Sequence, residues 1–241
     1  GEFPARRICS AVTGGERAPS LEADRMETGP VIYTAVSRPG PAEVAILARL
    51  QPLVRVRPRL AASVALRSLE TAPVGDRPTL LFLHGRGHAA TVWADWLQAL
   101  APLTRTVAVD LPGFGHAGAA PLQDGSSEAG LRFFADPVEQ VAVEEGPVIL
   151  VGHSLGGLVA LETALRGRAA VRGLVLVGAM GLSPIIEPAA RLYLRAGPER
   201  VARLSSLFRG PAGTEIEELR RGLPLVPGGP PQAKRAVARL G

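Results

Sequence analysis

The sequence predicts an α/β fold in which a mostly parallel sheet is flanked by helices. Four short apolar runs bounded by Gly, Pro or charged residues are typical of strands buried on both faces: Thr79–Leu83, Thr106–Val109, Val148–Val151 and Leu174–Val177. Segments with helical periodicity lie between these runs. Because strands and helices alternate along the chain, we expect the strands to run parallel.

Helix and hairpin signals surround these strands. An apolar stripe at i, i+3, i+4 and i+7 predicts a helix with one face toward the sheet: Trp93, Trp96, Leu97 and Leu100. A second helix is predicted to begin with Asp136 as its cap, Pro137 at its first position and Glu139 in a capping box, and to end at Gly146. Weak alternation of apolar and polar residues from Ala61 to Glu70 indicates one strand of an antiparallel edge hairpin.

The length of 241 residues favours one main domain. We expect a disordered extension over residues 1–30, the core over residues 31–182, and a helical cap or lid over residues 183–241, where proline breaks short helical patterns. Met26 is a plausible start of translation, so the sequence leaves open whether residues 1–25 are native.

Composition excludes several classes of function. The net charge of +5 comes almost entirely from arginines that are scattered without a basic run, so we expect no nucleic-acid partner. Cys9 is the only cysteine, which rules out an intrachain disulfide and makes the cytoplasm the default location. The longest uncharged stretch, residues 147–161, is too short to span a membrane. No pattern predicts a metal site or a cofactor, and the oligomeric state is not determined.

The strongest site signal is the pentapeptide Gly152-His153-Ser154-Leu155-Gly156, which matches G-x-S-x-G. It follows an apolar strand and precedes a helical pattern, which is the context expected for a nucleophile. A tight, strained turn would project the Ser154 hydroxyl above the sheet, and Gly152 and Gly156 would give the neighbouring backbone room to approach. The alternative interpretation is a glycine-rich turn without a chemical role.

Two further motifs precede this pentapeptide: His84-Gly85-Arg86-Gly87, and a D-x-x-G-x-G turn over Asp110–Gly115. Together, in their order and with their strands, the three motifs resemble the α/β-hydrolase family from about residue 80 to residue 182. The resemblance implies an oxyanion hole formed by the backbone N–H groups of Arg86 and Leu155. It also implies a structural role for Asp110.

A serine nucleophile needs a base, and the family places its acid and histidine after the serine. The chain has four histidines, and none of them follows Ser154: His84, His88, His116 and His153. We expect His153 to be a packed neighbour, His84 to brace its own loop, His88 to line the pocket mouth and His116 to occupy a turn. Glu187 is interpreted as a lid residue. The missing acid and histidine, with the last strands of the sheet, are therefore expected beyond residue 241, which makes the chain a fragment.

The resemblance implies a serine hydrolase of the esterase or lipase type, which cleaves a small carboxylic ester or related acyl substrate through an acyl-enzyme. Haloperoxidases, thioesterases, carbon–carbon bond hydrolases and acyltransferases share the same serine turn and stay open. Ser154 argues against dehalogenases and epoxide hydrolases, in which the family uses aspartate at this position. The alternative from another class is a noncatalytic scaffold that binds a partner or lipid.

Overall fold

The computed structural model describes residues 39–119 and 126–182. Its strands are β1 Val54–Ala61, β2 Val64–Thr71, β3 Thr79–Leu83, β4 Thr106–Val109, β5 Val148–His153 and β6 Val171–Val177. Its helices are α1 Pro41–Leu50, α2 Ala94–Leu100, α3 Ser127–Glu145 and α4 Leu155–Arg166, with a 3₁₀ turn over Ala90–Trp93 before α2. The four strands predicted from apolar runs are all present, but β6 is not buried on both faces as predicted, since its Val175 and Val177 are 47% and 46% exposed.

The six strands form one sheet in the order β1-β2-β4-β3-β5-β6. The pairs β4–β3, β3–β5 and β5–β6 are parallel, whereas β1–β2 and β2–β4 are antiparallel. This arrangement confirms the mostly parallel sheet with an antiparallel edge. The hairpin of β1 and β2 turns at Ala62 and Ser63, which have φ values of 46° and 62°.

Helices cover the sheet on both faces. On one face α3 and α4 pack against alternate residues of the central strands, such as Leu81 and Leu83 of β3. On the other face α1 and α2 pack against the intervening residues, such as Phe82. Because parallel central strands are buried on both faces, we expect functional side chains in the loops that follow the carboxyl ends of these strands.

The predicted apolar stripe before β4 is wrong in one residue. Leu97 is buried at 0% exposure, but Trp96 is 57% exposed. Trp93 ends a 3₁₀ turn and only Ala94–Leu100 is α-helical. The buried face of this segment is narrower than predicted, because it holds Trp93 and Leu97, with Leu100 partly buried, and leaves Trp96 out.

The predicted start of the helix before β5 is also wrong. Helix α3 begins ten residues earlier, where the Ser126 hydroxyl accepts a hydrogen bond from Ala129 N at 3.0 Å, and Pro137 lies inside it. The apolar face of α3 is buried on the sheet, and this packing outweighs the cost of an internal proline. Asp136 pairs with Arg166 at 2.6 Å instead of capping. The predicted end at Gly146, with φ of 79°, is confirmed.

Several predictions lie outside the described residues, namely the extension over residues 1–30, the cap over residues 183–241 and the lid role of Glu187. Within the described part of the chain, no helix has the length and apolar character to cross a bilayer. In the same part, no group of three or more His, Cys, Asp or Glu side chains is arranged to hold a metal ion.

Candidate active site

Ser154 occupies a strained turn between β5 and α4. Its φ of 52° and ψ of −114° lie in a region that non-glycine residues rarely adopt. Hydrogen bonds from neighbouring segments hold this conformation: Ser154 N donates to the carbonyl oxygen of Val177 at 3.0 Å, and Met180 N donates to the carbonyl oxygen of Ser154 at 3.0 Å. The end of β6 and the loop after it therefore stabilise a turn that the chain alone would not favour.

The glycines beside Ser154 allow close backbone packing. A Cβ atom on Gly156 would meet the Leu83 carbonyl oxygen and would lie 2.6 Å from the His84 carbonyl oxygen. A Cβ atom on Gly152 would lie 2.6 Å from Gly157 Cα. Helix α4 thus begins directly against the end of β3, at a separation that only glycine permits.

We expect Gly156→Ala to lower the free energy of unfolding by about 1–3 kcal/mol, because its Cβ would overlap backbone oxygens that cannot rotate away. Urea unfolding measures the change. Gly173→Ala in β6 is the matched control, since a Cβ there would lie 3.4 Å from Ile149 Cγ2, an ordinary contact. Equal stability losses in the two variants would contradict this account of the turn.

The loop after β3 lies against Ser154. In the parallel pair of β3 and β5, Leu83 is opposite Gly152, so the residues that follow each strand meet at the same edge of the sheet. A Cβ atom on Gly85 would lie 3.3 Å from Ser154 Cβ and 2.7 Å from His153 Nδ1. The structure therefore brings the H-G-x-G loop and the G-x-S-x-G turn into contact.

His84 ties this loop to the turn after β4. Its imidazole is fully buried, its Nε2 accepts a hydrogen bond from Leu111 N at 2.9 Å, and its Nδ1 lies 2.8 Å from the Gly85 carbonyl oxygen. An acceptor at Nε2 requires the proton at Nδ1, which then donates to Gly85. Burial lowers the pKa of His84, which favours this neutral form.

Asp110 holds the loop that follows β3 and the turn that follows β4 through hydrogen bonds to both. Its buried carboxylate accepts hydrogen bonds from Arg67 Nε at 2.7 Å, Ala90 N at 2.6 Å and His116 N at 2.9 Å. Gly115, with φ of 55°, lies so close that a Cβ there would collide with the carboxylate. Asp110 thus fixes the far end of the loop that begins at His84, in a structural role.

Glu43 of α1 extends this network. It pairs with Arg67 Nη1, and its Oε2 lies 2.8 Å from His116 Nε2. Burial by itself would raise the pKa of Glu43, but the hydrogen bond with His116 and the charge of Arg67 hold that pKa below its ordinary value. Sequence analysis missed Glu43 and Arg67, because no local pattern links a residue of α1 to one of β2.

The two remaining histidines lie near the serine turn. The His88 and His153 rings are 6.0 Å apart between centroids, and His153 packs on Gly85. Burial, with the neighbouring His84 and His153, lowers the pKa of His88 to about 4, and burial also lowers the pKa of His153. Within residues 39–119 and 126–182, no hydrogen bond joins the Ser154 hydroxyl to a histidine.

Comparison with known proteins agrees with this architecture. A model of the alpha/beta hydrolase family matches residues 80–240. Over 103 residues the chain is 39% identical to pimeloyl-[acyl-carrier protein] methyl ester esterase of Vibrio campbellii (strain ATCC BAA-1116), which covers 43% of this chain and 37% of that protein. Over 157 residues it is 31% identical to 2-hydroxymuconate semialdehyde hydrolase of Pseudomonas sp. (strain CF600). This match covers 62% of this chain and 55% of that protein.

Solved structures show the same fold. The 2-hydroxy-6-oxo-6-phenylhexa-2,4-dienoate hydrolase of Rhodococcus sp. strain RHA1 superimposes with a TM-score of 0.56 at 23% identity, over 78% of this chain and 72% of that chain. The chain spans 37% and 55% of the length of the two curated relatives. Since the family model matches more than half of the sequence, the chain belongs to the alpha/beta hydrolase family.

Proposed function

We propose that this chain carries the nucleophile of a serine hydrolase that cleaves a carboxylic ester or related acyl compound through an acyl-enzyme. The observation that carries the proposal is the strained turn at Ser154, with φ of 52°, packed against the loop that contains Gly85. Strain of this kind persists where surrounding structure enforces it, and it is concentrated at functional sites. The named relatives, an esterase and a hydrolase, support the same class of reaction.

In the proposed reaction, the Ser154 hydroxyl passes its proton to a base while its oxygen bonds to the substrate carbonyl carbon. The carbonyl π electrons move onto oxygen and form an oxyanion. When the oxyanion collapses, the bond to the leaving alkoxide breaks, and the alkoxide takes the proton from the base and departs as an alcohol. Water then attacks the acyl-enzyme by the same sequence and releases the carboxylic acid and the free serine.

Two backbone N–H groups are proposed to hold the oxyanion, those of Arg86 and Leu155. Leu155 is the first residue of α4, where a backbone N–H has no acceptor within the helix. The Gly85 carbonyl oxygen is engaged by His84 Nδ1. Because a trans peptide places C=O and N–H on opposite sides, the Arg86 N–H points away from His84. Donors fixed before the reaction stabilise charge that develops in the transition state.

We place the base outside the four histidines of this sequence. His84 uses both ring nitrogens in its loop, and His116 pairs with Glu43. The pKa of His88 is about 4, far below the value of an effective base near neutral pH, and His153 packs on Gly85. Turnover by the whole protein would then depend on a base and an acid partner from other residues.

A second candidate reaction is hydrolysis of a semialdehyde of the 2-hydroxymuconate type. The observation that favours it is the 157-residue match to 2-hydroxymuconate semialdehyde hydrolase, which covers more of this chain than the match to the methyl ester esterase. Both reactions would use the same serine turn, so parallel assays with an ester and with the semialdehyde distinguish them. A small-molecule substrate and a cytoplasmic location belong to this proposal, and no nucleic-acid partner is expected.

Covalent labelling tests the nucleophile. In the presence of imidazole, which takes up the Ser154 proton, we expect a fluorophosphonate to add to Ser154 with loss of fluoride, because a preorganised oxyanion site stabilises the phosphonyl oxygen as it would an ester carbonyl. Peptide mass spectrometry locates the adduct. Ser63→Ala is the matched control, since Ser63 also has a positive φ, 62°, but is exposed in the β1–β2 turn. Labelling that persists in Ser154→Ala, or that is lost in Ser63→Ala, would contradict the proposal.

A further inference from the structure

The segment after the H-G-x-G loop contains an unusual concentration of unsatisfied buried polar atoms. Among the described residues, His88 Nδ1, Thr91 Oγ1 and Trp93 Nε1 are all buried without a hydrogen-bond partner, and they lie within six residues of one another. Buried polar groups in native proteins nearly always have a partner, and leaving one unpaired is costly. Each of these atoms therefore needs a physical explanation.

The three atoms do not share one environment. Trp93 packs on Phe82 at a ring-centroid distance of 5.0 Å, within the apolar cluster formed by α1, α2 and one face of the sheet. His88 instead lies near the Ser154 turn. Its backbone N–H donates to the Gly85 carbonyl oxygen at 3.2 Å, and its ring centroid is 6.0 Å from that of His153. Only His88 thus combines an orphaned nitrogen with a place beside the loop that contacts Ser154.

We propose that the His88 imidazole is a substrate-binding group that hydrogen-bonds a neutral polar group of the substrate, such as a hydroxyl, ketone or amide. The partner group would belong to the acyl or the alcohol part of the substrate. This inference rests on the proposed function, because it places substrate next to Ser154. Bound substrate would satisfy the nitrogen that the protein leaves unpaired, so the pairing contributes to affinity and to selectivity.

The environment of His88 favours a neutral partner over an anion. Burial and the adjoining His84 and His153 lower the pKa of His88 to about 4, so the ring is uncharged near neutral pH. A neutral imidazole offers one N–H donor and one acceptor nitrogen, and both suit a hydroxyl or amide. A carboxylate would be buried beside an uncharged ring and would lose its hydration without a compensating charge from His88.

Binding of carboxylic acids, the products of ester cleavage, tests the inference without requiring turnover. The protein is titrated by calorimetry with pairs in which a terminal hydroxyl replaces a methyl group, such as 4-hydroxybutyrate against pentanoate and 6-hydroxyhexanoate against heptanoate, and with succinate. We expect at least one hydroxy acid to bind about tenfold more tightly than its methyl counterpart and than succinate, as one hydrogen bond to a buried group provides.

Variants identify the residue responsible. In His88→Leu the hydroxyl preference should disappear, and in His88→Asn, which keeps a donor and an acceptor, it should return in part. Thr91→Val is the matched control, because it removes another buried unpaired polar atom from the same segment, and it should keep the preference. Circular dichroism shows that each variant is folded.

Three results would overturn the inference: no hydroxy acid preferred by the unchanged protein, a preference that survives in His88→Leu, or succinate bound most tightly. Failure of the proposed function has a different signature, which is the absence of a Ser154 adduct. A hydroxyl preference that depends on His88 would support the substrate-binding role even in a protein that does not label.

Discussion

Asp110→Ala is expected to lower the free energy of unfolding by about 3–5 kcal/mol, the range typical when one partner of a buried ion pair is removed. The Arg67 side chain is only 10% exposed, and the variant would leave its charge with Glu43 alone. The N–H groups of Ala90 and His116 would also lose the acceptor that satisfies them. The far end of the loop beside Ser154, at Ala90, would then be less well fixed.

Urea unfolding measures this loss, with Asp95→Ala as the matched control. Asp95 also forms an ion pair, with Arg49 at 2.6 Å, but its side chain is 81% exposed. Pairs exposed to this degree contribute at most about 1 kcal/mol, so the control should change little. Similar losses of unfolding free energy in the two variants would show that the buried network stabilises the fold no more than an exposed ion pair does.

The second large effect concerns turnover. We expect the 241-residue chain to hydrolyse p-nitrophenyl butyrate at a rate at least about a thousandfold below that of a serine hydrolase with its histidine, because loss of that base alone lowers kcat by up to about 10⁶-fold. The residual rate should be the same in Ser154→Ala, since oxyanion stabilisation and binding act without the serine. Initial rates of nitrophenolate release measure both proteins.

Much of the fold could be predicted from local sequence. Strands β3, β4 and β5 are apolar runs with sharp boundaries, and their parallel pairing follows from the helices between them. The pentapeptide around Ser154 could be recognised because its spacing of glycines meets a steric requirement. A Cβ atom on Gly152 or Gly156 would overlap neighbouring backbone atoms. In these elements local propensity and tertiary packing agree.

Other features depended on tertiary contacts that no local pattern encodes. Pro137 is a typical first residue of a helix, yet burial of the apolar face of α3 carries the helix through it. The network of Glu43, Arg67 and Asp110 joins three elements that are distant in sequence. The unpaired nitrogen of His88 becomes apparent only when its neighbours are in place, because a hydrogen bond needs geometry as well as residue type.

The central claim is that Ser154 is a nucleophile whose base is not among His84, His88, His116 and His153. Exogenous imidazole tests it most directly, since it can take the place of a missing histidine as proton acceptor. The account predicts that release of nitrophenolate by the unchanged chain rises with imidazole concentration above the level found with Ser154→Ala, which corrects for hydrolysis by imidazole itself. Equal rates in the two proteins at every imidazole concentration, or fast hydrolysis that depends on Ser154 without imidazole, would contradict it.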